Sequence, residues 1–354
     1  MNKYYEKMKS IVERNVGEIP KIITSDWLME KYNDDNSCFK FWYFTYSDLR
    51  GHKFDENIPY ELKRRIDFST KTLMDNNDYF KLTKEMFKPD DSIVKLQEEG
   101  YNGEGINVAV IDYGFELLHN EIKDELVSYI KMHDTKPHYH GTVVASLLCG
   151  KNIGVVPNAK LYFYKIVEGP ELTEKDMIND VIKSLEDIYN KNNQGCNIKV
   201  VNISSPWHRK DDRFVEIKEK LANQGCYVID SVDFWKYYTP INIDHNTNEY
   251  YYGLWQNEKL DDYKKMIAIP TGGVIPLHET ENDYKYEGDV SVSWSIPVLS
   301  GLFSIALQIK PDITFDEFNE IVIENKKNDK DGRTLIDIDK TFSVIKKMKK
   351  SFNK

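Results

Sequence analysis

The sequence predicts an α/β fold: a central, mostly parallel sheet flanked by helices, with a small α+β extension at the N-terminus. Three observations predict it. From about residue 103, short apolar runs alternate with longer segments of helical periodicity, as in parallel strands joined by right-handed crossovers. A carboxylate, Asp112, stands where one apolar run ends, and sheets of this kind carry their active-site loops at the carboxyl ends of the strands. The chain, 354 residues, is long enough for one large domain of this class plus an appendage.

Taken in order, residues 1–87 form the extension and residues 88–354 the main domain. Within the extension, Lys40–Ser47 (KFWYFTYS) reads as a strand and Pro59–Met74 as a helix. Gly103–Gly114 reads as a turn followed by the strand Ile106–Ile111. His138–Gly150 fits a helix with His140 in its first turn and apolar positions that bury it. Then come a strand Leu161–Ile166, a helix Glu174–Lys191, a strand Ile198–Ser204, a helix Asp212–Gln224 and a strand Cys226–Ser231. Ser293 opens an apolar helix; Ile305–Lys310 and Phe315–Lys326 are helical, and Leu335–Ile338 is a short strand.

Composition excludes several functions. A net charge of −10 disfavours a sequence-independent nucleic-acid binder, which needs a basic face. The opening MNKYYEKMKS lacks an apolar core and a small-residue cleavage site, and no run of about 18 apolar residues is read anywhere, so a cytoplasmic protein with no membrane partner is expected. Cys38, Cys149, Cys196 and Cys226 show no CxxC spacing and sit in or beside apolar stretches. Buried free thiols are expected, with neither zinc nor disulfides.

Asp112, His140 and Ser293 carry the functional signal, because a serine hydroxyl becomes a nucleophile when an imidazole takes its proton and a carboxylate holds that imidazole. Their surroundings are specific. GEGINVAVIDYG (103–114) resembles the Asp motif of the subtilase family, and His119-Asn120-Glu121-Ile122 is similar to the His-Pro-Glu/Asp-Leu segment that follows it there. Gly141, Thr142, Val144 and Ala145 after His140 match His-Gly-Thr-His-Val-Ala, with Val143 in place of the second His. GVVPNAKL (154–161) is close to Gly-Val-Ala-Pro-Asn-Ala-Lys-Leu, and SVSWSIPVLSG (291–301) aligns with Gly-Thr-Ser-Met-Ala-Thr-Pro-His-Val-Ala-Gly. The resemblance covers about three quarters of the chain and implies a subtilisin-like fold with Asp112, His140 and Ser293 as the catalytic set. His138, lacking the following Gly-Thr, is the weaker candidate base; Ser291 and Ser295 read as a helix N-cap and a small packing residue.

The departures from the family matter as much. Its second oxyanion donor is an Asn, but here the strand runs on into Asp230-Ser231-Val232-Asp233-Phe234. An ungapped register offers Phe234, and a one-residue slip offers Asp233, which could donate only if protonated. Trp294 replaces the usual Met after the nucleophile, and Val298 replaces a His. The substrate-pairing segment resembles Asn202-Ile203-Ser204-Ser205-Pro206, where Pro206 removes a backbone donor and implies a restricted cleft. Leu147–Ile153 is too short for the family's main calcium loop, so no metal or cofactor is expected. Many members carry an inhibitory N-terminal segment, and Asn57-Ile58-Pro59-Tyr60 faintly resembles such a tetrapeptide; an accessory region that is never removed is the other reading. The resemblance implies a serine endopeptidase acting on peptide or protein, and the restricted cleft with the expected cytoplasmic address points to a narrow-specificity processing or regulatory one. Its rivals are a pseudoprotease that binds a peptide or partner protein in the same cleft without turnover, and an esterase or transpeptidase.

Overall fold

A computed structural model describes residues 19–33, 44–76, 78–115, 118–133, 138–166, 173–204, 211–244, 246–253, 256, 259–271, 273–277 and 280–352. The extension contributes β1 (Ile22–Ile23), α1 (Ser25–Asn33), β2 (Lys53–Phe54), α2 (Tyr60–Lys63) and β3 (Phe68–Ser69). The main body follows with α3 (Asp91–Glu98), β4 (Asn107–Asp112), β5 (Leu126–Lys131), α4 (Tyr139–Cys149), β6 (Lys160–Lys165), α5 (Glu174–Asn193), β7 (Ile198–Ile203), α6 (Asp212–Asn223), β8 (Tyr227–Asp230) and α7 (Ser231–Tyr237). It closes with β9 (Tyr238–Asp244), β10 (Glu249–Tyr251), α8 (Leu260–Tyr263), β11 (Ile267–Pro270), β12 (Val274–Pro276), β13 (Tyr284–Tyr286), α9 (Val292–Ile309), α10 (Phe315–Asn325), β14 (Lys327–Asn328), β15 (Thr334–Leu335) and α11 (Ile338–Phe352).

Five parallel strands in the order β5-β6-β4-β7-β8 make the central sheet. Side chains alternate across a strand, and β4 shows why both faces of this sheet are apolar. Val108 and Val110 join the core under α4 and α9, whereas Ala109 and Ile111 join the core under α5 and α6. The mostly parallel, helix-flanked sheet predicted from the sequence is therefore present. A second sheet, β10-β9-β11-β15-β14, mixes parallel and antiparallel pairs beyond α7.

The extension departs from its predicted elements. Lys40–Tyr43 lie outside the described residues, and Phe44–Ser47 form a turn in place of a strand. Of the helix predicted over 59–74 a single turn, α2, is formed. The chain then leaves helical geometry so that Phe68 and Ser69 can pair antiparallel with Tyr286 and Lys285, making the sheet β12-β13-β3. Long-range pairing overrides local propensity here. Around that sheet Ile58, Leu62, Ile66, Phe68, Val274 and Tyr286 form one core, and Phe87 meets the Tyr284 ring edge-on at 4.6 Å. The 57–60 tetrapeptide is part of this packing: Ile58 is buried and the Tyr60 hydroxyl donates to Asp244.

The expectation of no long apolar run is corrected by α9. Its 18 residues are apolar enough to cross a membrane by length and composition, yet 83% of them are buried inside the protein. It is the central core helix, packed against α4 and the sheet. Cys149, Cys196 and Cys226 are free thiols, and Cys38 lies outside the described residues.

Candidate active site

Asp112 ends β4 at the carboxyl edge of the central sheet, buried to 4% exposure. One carboxylate oxygen accepts the Tyr113 N–H at 2.7 Å. The same oxygen accepts from His140 Nδ1 at 2.7 Å, which fixes the tautomer and leaves Nε2 to exchange a proton. His140 reaches it because α4 starts tight against the end of β4: a Cβ on Gly141 would lie 1.8 Å from the Tyr113 carbonyl oxygen, so only glycine fits after His140. His138 is the N-cap of α4, its Nδ1 accepting the His140 N–H at 3.2 Å. Burial, and then the charge of His140, push the His138 imidazole down to about 4, so it is a neutral acceptor.

Ser293 lies in the first turn of α9, partly exposed. Pro297 shapes this turn. Having no N–H, it cannot donate to the Ser293 carbonyl four residues back, and that carbonyl instead accepts the Ser204 hydroxyl at 3.2 Å. Ser204 Oγ in turn accepts from Asn202 Nδ2 at 3.1 Å, and Asn202 Oδ1 accepts from Ser300 Oγ at 3.0 Å. This chain of buried bonds ties the end of β7 to the start of α9. The Ser293 hydroxyl donates to the Ser204 carbonyl at 3.3 Å. A hydroxyl has one proton to give, so donation to His140 Nε2 requires that proton to turn away from the Ser204 carbonyl.

Aromatic rings wall His140. The Trp294 ring lies 5.0 Å from the His140 ring at 41°, and Tyr113 meets it at 5.7 Å and 64°. Ser295 is the small packing residue predicted, bonded to the Ile269 carbonyl at 3.0 Å, and Ser291 occupies the N-cap position without a side-chain cap bond.

Asp233 is a correction. The chain turns into α7 directly after β8, because Asp230 caps the helix by accepting the N–H groups of Val232 and Asp233. The Asp233 carboxylate then meets Lys218 and, at 2.9 Å, Lys236. Held between two ammonium groups it is an acceptor, not an oxyanion donor. Phe234, the other register, is wholly buried in the core and offers no side-chain donor. Ser205 and Pro206 of the substrate segment lie outside the described residues.

The segment Leu147–Ile153 is shaped by Glu121, whose carboxylate accepts the Asn152 N–H at 2.9 Å and Asn152 Nδ2 at 2.7 Å. No group of three or more His, Cys, Asp or Glu side chains converges among the described residues. Glu287, which bonds the Trp294 indole, escaped the sequence reading. The signal it offered was its i,i+2 spacing from Lys285, which puts two opposite charges on one side of an apolar segment.

The fold is subtilisin-like, and the family model described as the Subtilase family matches residues 103–226, which hold Asp112 and His140. Among solved structures, the prenylagaramide maturation protease PagA is 14% identical with a TM-score of 0.51, the match covering 72% of this chain and 98% of that one. The PatG macrocyclase domain is 12% identical with a TM-score of 0.50, covering 72% and 95%. The A-subunit of the AB5 toxin from E. coli is 13% identical with a TM-score of 0.51, covering 72% and 98%.

Proposed function

We propose that this chain is a serine endopeptidase of subtilisin type, acting on a narrow set of peptide or protein substrates as a processing or regulatory enzyme. One observation carries the reading: His140 Nδ1 is locked onto a buried Asp112 at 2.7 Å, a pairing that has no catalytic use unless Nε2 has a proton to exchange. In the proposed cycle the Ser293 hydroxyl swings from the Ser204 carbonyl to Nε2, attacks the scissile carbonyl and passes its proton to His140. Asp112 stabilises the imidazolium, which then protonates the leaving amine; water resolves the acyl-enzyme by the reverse sequence. The Ser293 backbone N–H is the donor we assign to the oxyanion. With no second donor identified among the described residues, such a site runs about 10²–10³-fold below a complete one, which suits a slow, selective enzyme. Two structural neighbours named as a maturation protease and a macrocyclase domain agree with a processing role. We read the cellular address as cytoplasmic, in keeping with the free thiols.

A second reading, a pseudoprotease that binds a peptide or partner protein in this cleft, is favoured by the bond from the Ser293 hydroxyl to the Ser204 carbonyl and by the ion-paired Asp233. Fluorophosphonate labelling decides between them. The endopeptidase reading requires labelling of the wild type that falls by at least about three orders of magnitude in Ser293→Ala and in His140→Ala. A folded wild type that takes no label makes the binding reading the better one.

A further inference from the structure

Behind the imidazole of His140 the indole of Trp294 is itself anchored. Its N–H donates to Glu287 Oε1 at 2.8 Å, and the other Glu287 oxygen lies 3.0 Å from Lys285 Nζ. All three side chains are buried. A carboxylate in such a place is stable only when paired, and Lys285 supplies the pair. The wall opposite comes from the extension. Asp67, just before β3, accepts the Gly288 N–H at 2.8 Å, and a Cβ on Gly288 would lie 2.3 Å from the Arg65 carbonyl carbon, so the two segments touch backbone to backbone.

We propose that Glu287 is a positioning residue: its carboxylate clamps the Trp294 indole, and that ring holds the His140 imidazole in line with Ser293. The proposal rests on the reading of Ser293 and His140 as nucleophile and base. Its physical content is rotational. The bond from Nδ1 to Asp112 does not by itself fix rotation about that bond, and a ring packed against the face of the imidazole restrains it only if the ring is itself fixed. An ionised acceptor fixes an indole N–H more firmly than a neutral one. The titratable groups around Glu287 are Lys285 two residues before it, Asp67 from the extension with Asp289 and its Arg65 partner at 3.7 Å beside that carboxyl, and His140 across the indole. Lys285 also lies over the Tyr139 ring, 5.9 Å from its centroid, so the same ammonium braces the start of α4.

The test is a double-mutant cycle on the rate of Ser293 labelling by a fluorophosphonate, measured from pH 5 to 9 with melting temperature as the folding control. Trp294→Phe keeps an aromatic ring, though a smaller one, and removes the indole N–H; Glu287→Gln keeps an acceptor and removes the charge. Each is expected to slow labelling roughly five- to tenfold, and the double variant to be no slower than Trp294→Phe alone, because Glu287 acts through the indole. Independent, multiplying effects, or singles that label at the wild-type rate, overturn the proposal. If the wild type shows no Ser293-dependent labelling, the endopeptidase reading fails by itself, and the ¹⁵N resonances of the His140 ring decide the positioning claim. Equal shifts in both variants uphold it, and an unmoved ring in either refutes it.

Discussion

His138 and His140 stand two residues apart, and their imidazoles have opposite requirements. In the proposed cycle His140 exchanges a proton, whereas His138 caps α4 through a lone pair on Nδ1 and must stay neutral to do so. Its folded-state value of about 4 lies below the unfolded value of about 6.5. The unfolded chain therefore takes up the proton first. The stabilisation from His138 is complete above pH 6.5 and is lost as pH falls through the folded value. The melting temperature of the wild type should drop across this window, by the equivalent of about 1–2 kcal/mol. His138→Asn, a cap that does not titrate, should flatten the slope; identical slopes in the two proteins would refute the assignment. At this scale the sequence was legible where a motif surrounds the residue, as for Asp112 and His140. It was opaque for Asp233, because nothing local announces that α7 starts at Ser231 and turns that carboxylate toward Lys218.

Among the elements, β3 is the least predictable and one of the most consequential. A 59–74 helix suits the local residues, but the partner that makes Phe68 and Ser69 a strand lies at 285–286. No window around residue 68 contains it. The predicted strands and helices between 106 and 224 fall within one to two residues of the observed ones, because each carries its own apolar face; α11 and β9–β13 depend on distant partners and went unread. The pairing of β3 brings Asp67 into a wholly buried site, where burial first and the charges of Glu287 and Asp289 next push its carboxyl well above the usual range, against Lys285 and the Gly288 N–H. A raised carboxyl favours its neutral form in the fold. Its contribution is present below the unfolded value and is lost as pH rises through the folded one. Asp67→Asn keeps the acceptor for Gly288 and cannot ionise, so thermal melts should show a gain of about 1–2 kcal/mol that grows from pH 5 to 9. A loss at every pH would mean that Lys285 needs the ionised Asp67.

For the whole molecule, the question is whether the extension detaches. Its core shares Val274 and Tyr286 with the main body, β3 completes a sheet of that body, and Arg65 Nη2 donates to the Tyr252 carbonyl at 2.7 Å. Removal would expose this apolar surface and strip the wall behind Glu287. We therefore expect the extension to act as an accessory part that is kept. The intact mass of purified protein should stay at 41.6 kDa through prolonged incubation, the same as for Ser293→Ala. A stable, labelling-competent fragment lacking residues 1–87 would show that it is a removable segment instead.

The bond from the Gly288 N–H to Asp67 also sets a timetable. Its partners are 221 residues apart, and a contact of that span forms late, after the intervening chain has been made and collapsed. During synthesis Asp67 emerges long before Gly288, and Ser293 is made only five residues after that glycine. The wall behind His140 and the Ser293 turn in front of it are thus finished almost together. A nascent chain therefore carries Asp112 and His140 while still missing both.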